Sequence, residues 1–183
     1  LYSRSESVGR MTFDFPEKKN ALDQDARKEM ERIVTQVRDD DRVRALLITG
    51  AGGAFCAGGD ISTFAGSSPV AMRDRMKQQH RVTRMLYDLE KPVVAAIHGT
   101  ALGGGCEVAL ACHYRVAVPS AKLGLPEVKL GLIPGAAGTQ RLPRLVGAEA
   151  ALPLVAIGNP ISAKKAKEIG LLDELVGEDS LAA

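Results

Sequence analysis

The chain has 183 residues, of which 45% are apolar and 25% charged, the balance of a soluble globular domain large enough to bury one core. Its 24 basic and 22 acidic residues leave a net charge of +2 with both signs interspersed, which argues against a polyanion-binding protein; no Trp, three Tyr and four Phe are too few aromatics for a base-stacking nucleic-acid module. No apolar run approaches the roughly 20 residues needed to cross a bilayer, residues 1–10 carry no signal-peptide pattern, and Cys56, Cys106 and Cys112 lie in apolar runs and cannot all pair, which points to a reducing, cytoplasmic location.

The first predicted element is a strand over residues 7–13, followed by a polar turn from Pro16 to Asn20. Asp23 is placed to cap a helix running to Asp39, with Ala26, Met30, Ile33, Val34 and Val37 on one face. Residues 43–49 form a short apolar run bounded by Gly50, as expected of a strand covered on both faces. A Gly/Ala loop from Gly50 to Asp60 leads to a helix over 70–89, with Met72, Met76, Met85, Leu86 and Leu89 as its buried face. The basic residues Arg73, Arg75, Lys77 and Arg81 read as its solvated side. A buried strand over 93–97, a second Gly-rich loop over 99–105 and a helix over 105–112 follow. Strands are predicted over 114–118 and 122–124, then a Gly-rich turn over 131–138 and helices near 139–146 and 148–157. Ser162 is placed to cap a last helix over 163–169 before a strand near 171–176. Strands alternating with helices through Gly-rich turns define an α/β fold, and no linker or repeat divides residues 1–183 into more than one domain. The chain opens on Leu1 and stops at Gly177–Ala183 on the approach to another helix, so it reads as a piece of a longer protein.

Three segments are candidates for chemistry. The loop Gly50–Asp60 follows a strand, but it lacks the Lys-Ser/Thr of a phosphate-binding loop and has Phe55 where a dinucleotide loop needs its last Gly. From the residues alone it reads equally as a tight turn. Gly103, Gly104 and Gly105 precede a helix, which leaves the first backbone N–H groups uncovered at its positive end, a ready oxyanion hole. Glu107 then falls in the first turn, where it is either a working carboxylate or a charge that simply suits the helix dipole. Glu127 follows a proline among apolar residues, a setting that raises a carboxyl pKa and makes a general acid; the competing reading is an exposed loop residue beside Lys129. His80, His98 and His113 have no metal-ligand spacing, so no metal is expected, and no Gly-x-Ser-x-Gly elbow occurs.

The stretches Asn20–Asp23, Leu47–Asp60, Lys91–Glu107, Gly124–Gly135, Gly138–Arg144 and Ile161–Ala166 together resemble the enoyl-CoA hydratase/isomerase (crotonase) family, in the right order over nearly the whole chain. Leu110–Ala117 is most similar to the hydratase/isomerase part of multifunctional β-oxidation enzymes. The resemblance implies a spiral of ββα units with a C-terminal helical region, truncated here, that commonly builds trimers. It implies an oxyanion hole from the N–H groups of Gly59 and Gly104, with Glu107 activating water and Glu127 delivering a proton to Cα. It places coenzyme A, carried in by the substrate with no further cofactor, along Ala57, Gly58, Asp60 and Ile61, with Lys18 or Lys19 on its phosphates and Gly103, Pro134 and Gly135 as further substrate-binding residues. The activity implied is hydration of a 2-enoyl-CoA, with no nucleic-acid or membrane partner. The alternatives are β,γ-to-α,β enoyl-CoA isomerisation, or a truncated acyl-CoA-binding domain; the family tends to trimers or to fusion with a 3-hydroxyacyl-CoA dehydrogenase. Two motif positions depart from the family: Gly59 stands where Ala is frequent, which keeps the backbone donor in a looser loop, and Ala137 stands where Gly is common, with little expected effect on chemistry. Gly104 is expected to tolerate Ala poorly, and Gly99, outside the hole, to accept it.

Overall fold

Strands β1 (Tyr2–Ser5) and β2 (Val8–Phe13) pair antiparallel across a turn that contains Glu6 at a φ of 52°. The computed structural model describes residues 1–63 and 66–178, so the approach to a further helix read at Gly177–Ala183 falls largely outside the described residues. The sequence gives no sign of β1 because that strand lies at the sheet edge, with Ser3, Arg4 and Ser5 exposed and no apolar alternation to read. Helix α1 (Gln24–Asp39) starts where expected: the Asp23 carboxylate accepts the Ala26 N–H at 2.8 Å and satisfies one of the orphan donors of the first turn. It buries Met30, Ile33, Val34 and Val37, and also Arg27, which its charge hid from the apolar pattern.

Strand β3 (Ala45–Gly50), helix α2 (Pro69–Tyr87) and strand β4 (Val93–Ile97) follow. Ser68 caps α2 and Pro69 opens it, the position where a missing N–H costs nothing. Its buried face is Arg75, Val82, Thr83 and Leu86, with the three methionines only half-buried. Arg75 is therefore not part of a solvated stripe, unlike Arg73, Lys77 and Arg81.

The loop expected over residues 99–105 contains a strand, β5 (Thr100–Leu102). Three residues are too few to show a period, so only its pairing reveals it. Helix α3 (Gly104–Ala111), β6 (Tyr114–Ala117), β7 (Lys122–Gly124), α4 (Gly138–Val146), α5 (Ala148–Ala156), β8 (Ile161–Ser162), α6 (Ala163–Glu168) and β9 (Glu174–Leu175) complete the described chain. The strand expected near 171–176 shrinks to two residues, and a 3-10 helix, Pro126–Leu130, precedes the third Gly-rich turn.

The strands form two sheets. The larger runs β1-β2-β3-β4-β6-β9, parallel from β2 onward, and the smaller runs β5-β7-β8. Two successive circuits of the chain lay one strand in each sheet before a helix: β4 and β5 precede α3, and β6 and β7 precede α4. This is the spiral of ββα units that the resemblance implied. The switch between sheets after β4 is made at Gly99, with φ 56°; a Cβ there would stand 2.0 Å from the Gly53 carbonyl oxygen. Gly99→Ala is therefore not the harmless change expected from its position outside the hole, because it collides with backbone that cannot move aside.

Candidate active site

The loop Gly50–Asp60 is held on both sides by backbone hydrogen bonds. Gly50 ends β3 against the carbonyl of Ala54, and the loop then runs beside β5: Phe55 N–H donates to His98 O and Cys56 N–H to Thr100 O, both at 2.9 Å. On its other side Leu22 N–H donates to Gly58 O at 2.7 Å and Asp60 N–H to Leu22 O at 3.1 Å. Both neighbours of Gly59 are thereby pinned, while the Gly59 N–H has no acceptor among the described residues. Gly104 is the first residue of α3, a position without an intrahelical acceptor, and its N–H is likewise unclaimed. The two meet: a Cβ built on Gly104 would lie 3.5 Å from Gly59 N, and one on Gly58 would lie 3.3 Å from Gly104 N. Two fixed donors at a buried helix N-terminus form a place for a developing oxyanion.

Asn20 clamps this loop, a role the sequence motif did not explain. It is fully buried, accepts the Phe15 N–H at 2.8 Å, and donates to Ala51 O at 2.9 Å and Ala54 O at 2.6 Å. Its φ of 59° is one that Asn tolerates better than most residues. Asn20→Ala leaves three backbone groups without their partner, the Ala54 carbonyl buried and the other two part-buried, and is expected to cost about 3 kcal/mol in a denaturant titration; an unchanged midpoint would deny the clamp.

Glu107 and Glu127 lie close to these donors, Glu107 in the helix that Gly104 opens and Glu127 beside Gly103. Glu107, in the first turn of α3, is 1% exposed, and its Oε1 accepts the N–H groups of Ala136 at 2.6 Å and Gly138 at 2.8 Å. Burial pushes its pKa up, and those two N–H groups pull against that shift by stabilising the anion. Glu127, half-buried on the 3-10 helix, has Oε1 3.2 Å from where a Cβ on Gly103 would stand, while its Oε2 is buried with no hydrogen-bond partner among the described residues. Burial first, and then the charge of Glu107, push its pKa up to about 7. The exposed-loop reading of Glu127 is thereby excluded.

The segment holding Glu107 carries the chain's Ala137 departure. Ala137 adopts φ 73°, left-handed backbone that an L-residue with a Cβ occupies at a cost. Ala137→Gly is expected to raise stability by about 1 kcal/mol, read as a higher thermal midpoint; a lower midpoint would contradict the strain.

The remaining expected residues lie around this centre or at its mouth. Pro134 is buried and Gly135 half-buried at the start of the segment that binds Glu107, and the Gly135 carbonyl contacts His80 Nε2. Ala57 N–H donates to Lys19 O at 2.9 Å, which ties the lysine turn to the loop. Lys18 reaches Asp60 at 3.0 Å, with 57% of its side chain exposed, so it is engaged by that carboxylate and still open to solvent. The Asp60 carboxyl is held down at about 2, by Ser62 first and Lys18 second. Ile61 is 58% exposed. Cys56, Cys106 and Cys112 are free, and burial pushes each thiol up to about 12, so none is a ready nucleophile. Among the described residues no group of three or more His, Cys, Asp or Glu could hold a metal ion, and no helix is long and apolar enough to cross a membrane.

The chain belongs to the enoyl-CoA hydratase/isomerase family, whose family model matches residues 3–183. Within that family it is similar to hydratases in particular. It is 41% identical over 182 residues to a crotonyl-CoA hydratase of Syntrophomonas wolfei subsp. wolfei, covering 99% of this chain and 70% of that one. It is 44% identical over 186 residues to the fatty acid oxidation complex subunit alpha of Shewanella amazonensis, covering 99% of this chain but only 26% of the relative. A crystal structure of an enoyl-CoA hydratase from Bacillus anthracis superposes with a TM-score of 0.95 at 39% identity, over 100% of this chain and 71% of that one. The crotonase-like fold expected from the motifs is borne out by that superposition.

Proposed function

We propose that the chain hydrates a 2-enoyl-CoA thioester, and that Gly59, Gly104, Glu107 and Glu127 carry the reaction. The observation that carries this reading is the pair of unclaimed N–H groups with the buried Glu107 and the half-buried Glu127 close by. The thioester oxygen sits between the Gly59 and Gly104 N–H groups. Glu107, ionised with the help of the Ala136 and Gly138 amides, takes a proton from water as its oxygen bonds to Cβ. The π electrons move onto the thioester oxygen as an enolate, which the two N–H groups stabilise. Glu127, protonated because its pKa lies near 7, delivers its proton to Cα as the enolate collapses. One proton is gained by Glu107 and one lost by Glu127, so exchange with solvent resets the site. Coenzyme A needs no partner cofactor in this scheme; its phosphates have Lys18 and Lys19 within the mouth formed by Ala57, Gly58, Asp60 and Ile61.

The reading carries two corollaries. The 3-hydroxyacyl product suits a 3-hydroxyacyl-CoA dehydrogenase, and the likeness to the Shewanella subunit supports such a fusion context. The free, buried cysteines support a reducing compartment, the cytoplasm.

A pair of substrates tests the reading. With a conjugated 2-enoyl-CoA the enoyl-thioester absorbance is expected to fall; with a 3-enoyl-CoA it is not expected to rise. A rise with the latter alone identifies an isomerase, and tight binding without change in either identifies a binding domain. The pH dependence follows from the acid: kcat/KM is expected to decline as pH rises through about 7, where free Glu127 loses its proton. A flat profile from pH 6 to 9 contradicts its role.

A further inference from the structure

We propose that Gln79 is a positioning residue for Glu107, holding the working oxygen of that carboxylate from helix α2; this rests on the hydratase reading above. The two oxygens of Glu107 are not equivalent. Oε1 is fully engaged by the Ala136 and Gly138 amides, which leaves Oε2 to meet water. The partner of Oε2 among the described residues is the Gln79 side-chain Nε2 at 3.4 Å. That nitrogen also lies 3.3 Å from where a Cβ on Gly104 would stand, so the carboxamide bridges the carboxylate and the edge of the oxyanion hole. The contact is long, and its length matters. A short, strong bond would quench the basicity of Oε2, whereas a weak one fixes its direction and leaves it able to accept a proton. A carboxamide has no titration of its own and donates at every pH.

The position of Gln79 is itself fixed. One residue on, His80 Nε2 contacts the Gly135 carbonyl. One turn back, Met76 Sδ lies 2.9 Å from where a Cβ on Gly135 would stand. Helix α2 is thus seated on the same segment whose amides hold Oε1, and Gln79 closes the grip from the other side. The charged and titratable groups facing Glu107 are His80 from α2, Arg141 from α4 and Glu127 from the 3-10 helix, with the Cys106 thiol beside it. Gln79 is the neutral donor in that set.

The test is Gln79→Leu, with Gln79→Met as a second variant that keeps the length of the side chain. Steady-state hydration is measured against pH, and the carboxyl carbon of Glu107 is titrated by NMR in the wild-type chain and in both variants. The expected result is a fall in kcat of about tenfold with KM within about twofold. The acid limb of the kcat profile and the Glu107 midpoint should both move up by about half a unit, because the anion has lost a donor. An unchanged kcat and acid limb, or a change in KM alone, overturns the proposal. The NMR titration separates this from the functional reading: if the wild-type chain hydrates nothing, a raised Glu107 midpoint in the folded variants still supports the grip, and an unmoved midpoint overturns it.

Discussion

Gly104→Ala is expected to leave the chain folded and to cut hydration by about 10²-fold or more. A Cβ at this position meets the end of the Gln79 side chain at 3.3 Å, the Gly59 nitrogen at 3.5 Å and the Gly58 carbonyl carbon at 3.8 Å, contacts that a fold accommodates. The methyl group therefore does its harm in the hole, standing where the thioester oxygen must approach the two N–H groups. The neighbouring glycine gives the opposite outcome. A Cβ on Gly105 would lie 2.3 Å from the Cys56 carbonyl oxygen, inside the packing of α3 on the oxyanion loop. Gly105→Ala is accordingly expected to cost about 3 kcal/mol of stability. Gly104→Pro separates the donor from the shape: proline is tolerated at the first helical position but has no N–H to offer. Thermal denaturation and steady-state rates on the three variants check the pattern. A folded Gly104→Ala or Gly104→Pro protein with full activity would remove Gly104 from the hole.

Glu127→Gln is expected to lower kcat by roughly 10²–10⁴-fold while leaving thioester binding nearly intact, because Gln keeps the size and polarity of the acid but cannot deliver a proton to Cα. The same change has a stability signature of definite sign. The folded-state pKa of about 7 lies above the ordinary value of 4.5, so between these values the folded chain keeps a proton that the unfolded chain has released. Stability therefore declines as pH rises from about 4.5 to 7, and the loss persists above 7. In Glu127→Gln this contribution disappears, so its stability should vary less with pH over that window than that of the wild type. Glu107→Gln is expected to cripple turnover as well, and in addition to weaken the segment 134–138, since the neutral amide oxygen that replaces the charged Oε1 accepts the two buried amides less strongly. Near-normal turnover in either variant would remove that carboxylate from the mechanism.

What the sequence made legible divides by range. The capped helix at Asp23, the apolar strand over Val93–Ile97 and the helix after the glycine triplet follow from local periodicity and cap chemistry, which act within a few residues. The edge strand β1 and the three-residue β5 escape because neither carries an apolar period. Arg75 misleads because a charged residue among Arg73, Lys77 and Arg81 reads as solvated, and Arg27 escapes because its charge hides it within the apolar face of α1; both are buried in the fold. The site shows the same division. The residue types of Glu107 and Glu127 suggest acid–base chemistry, but their meeting depends on β5 and β7 lying side by side, with Leu102 opposite Gly124. The clamp of Asn20 on Ala51 and Ala54 spans more than 30 positions, and the reach of Gln79 to Glu107 spans 28. No local pattern encodes such a contact, although the fully buried Asn within the Asn20–Asp23 motif is the kind of residue whose polarity demands partners.

The most direct test of hydration by paired carboxylates is turnover of a 2-enoyl-CoA thioester in isotopically labelled water, followed by mass spectrometry. In water carrying ¹⁸O the account predicts one heavy oxygen at Cβ of the 3-hydroxyacyl product, and in deuterium oxide one deuterium at Cα, both lost in Glu127→Gln. A chain that binds the thioester yet returns it unlabelled, or that places deuterium without adding oxygen, would contradict it.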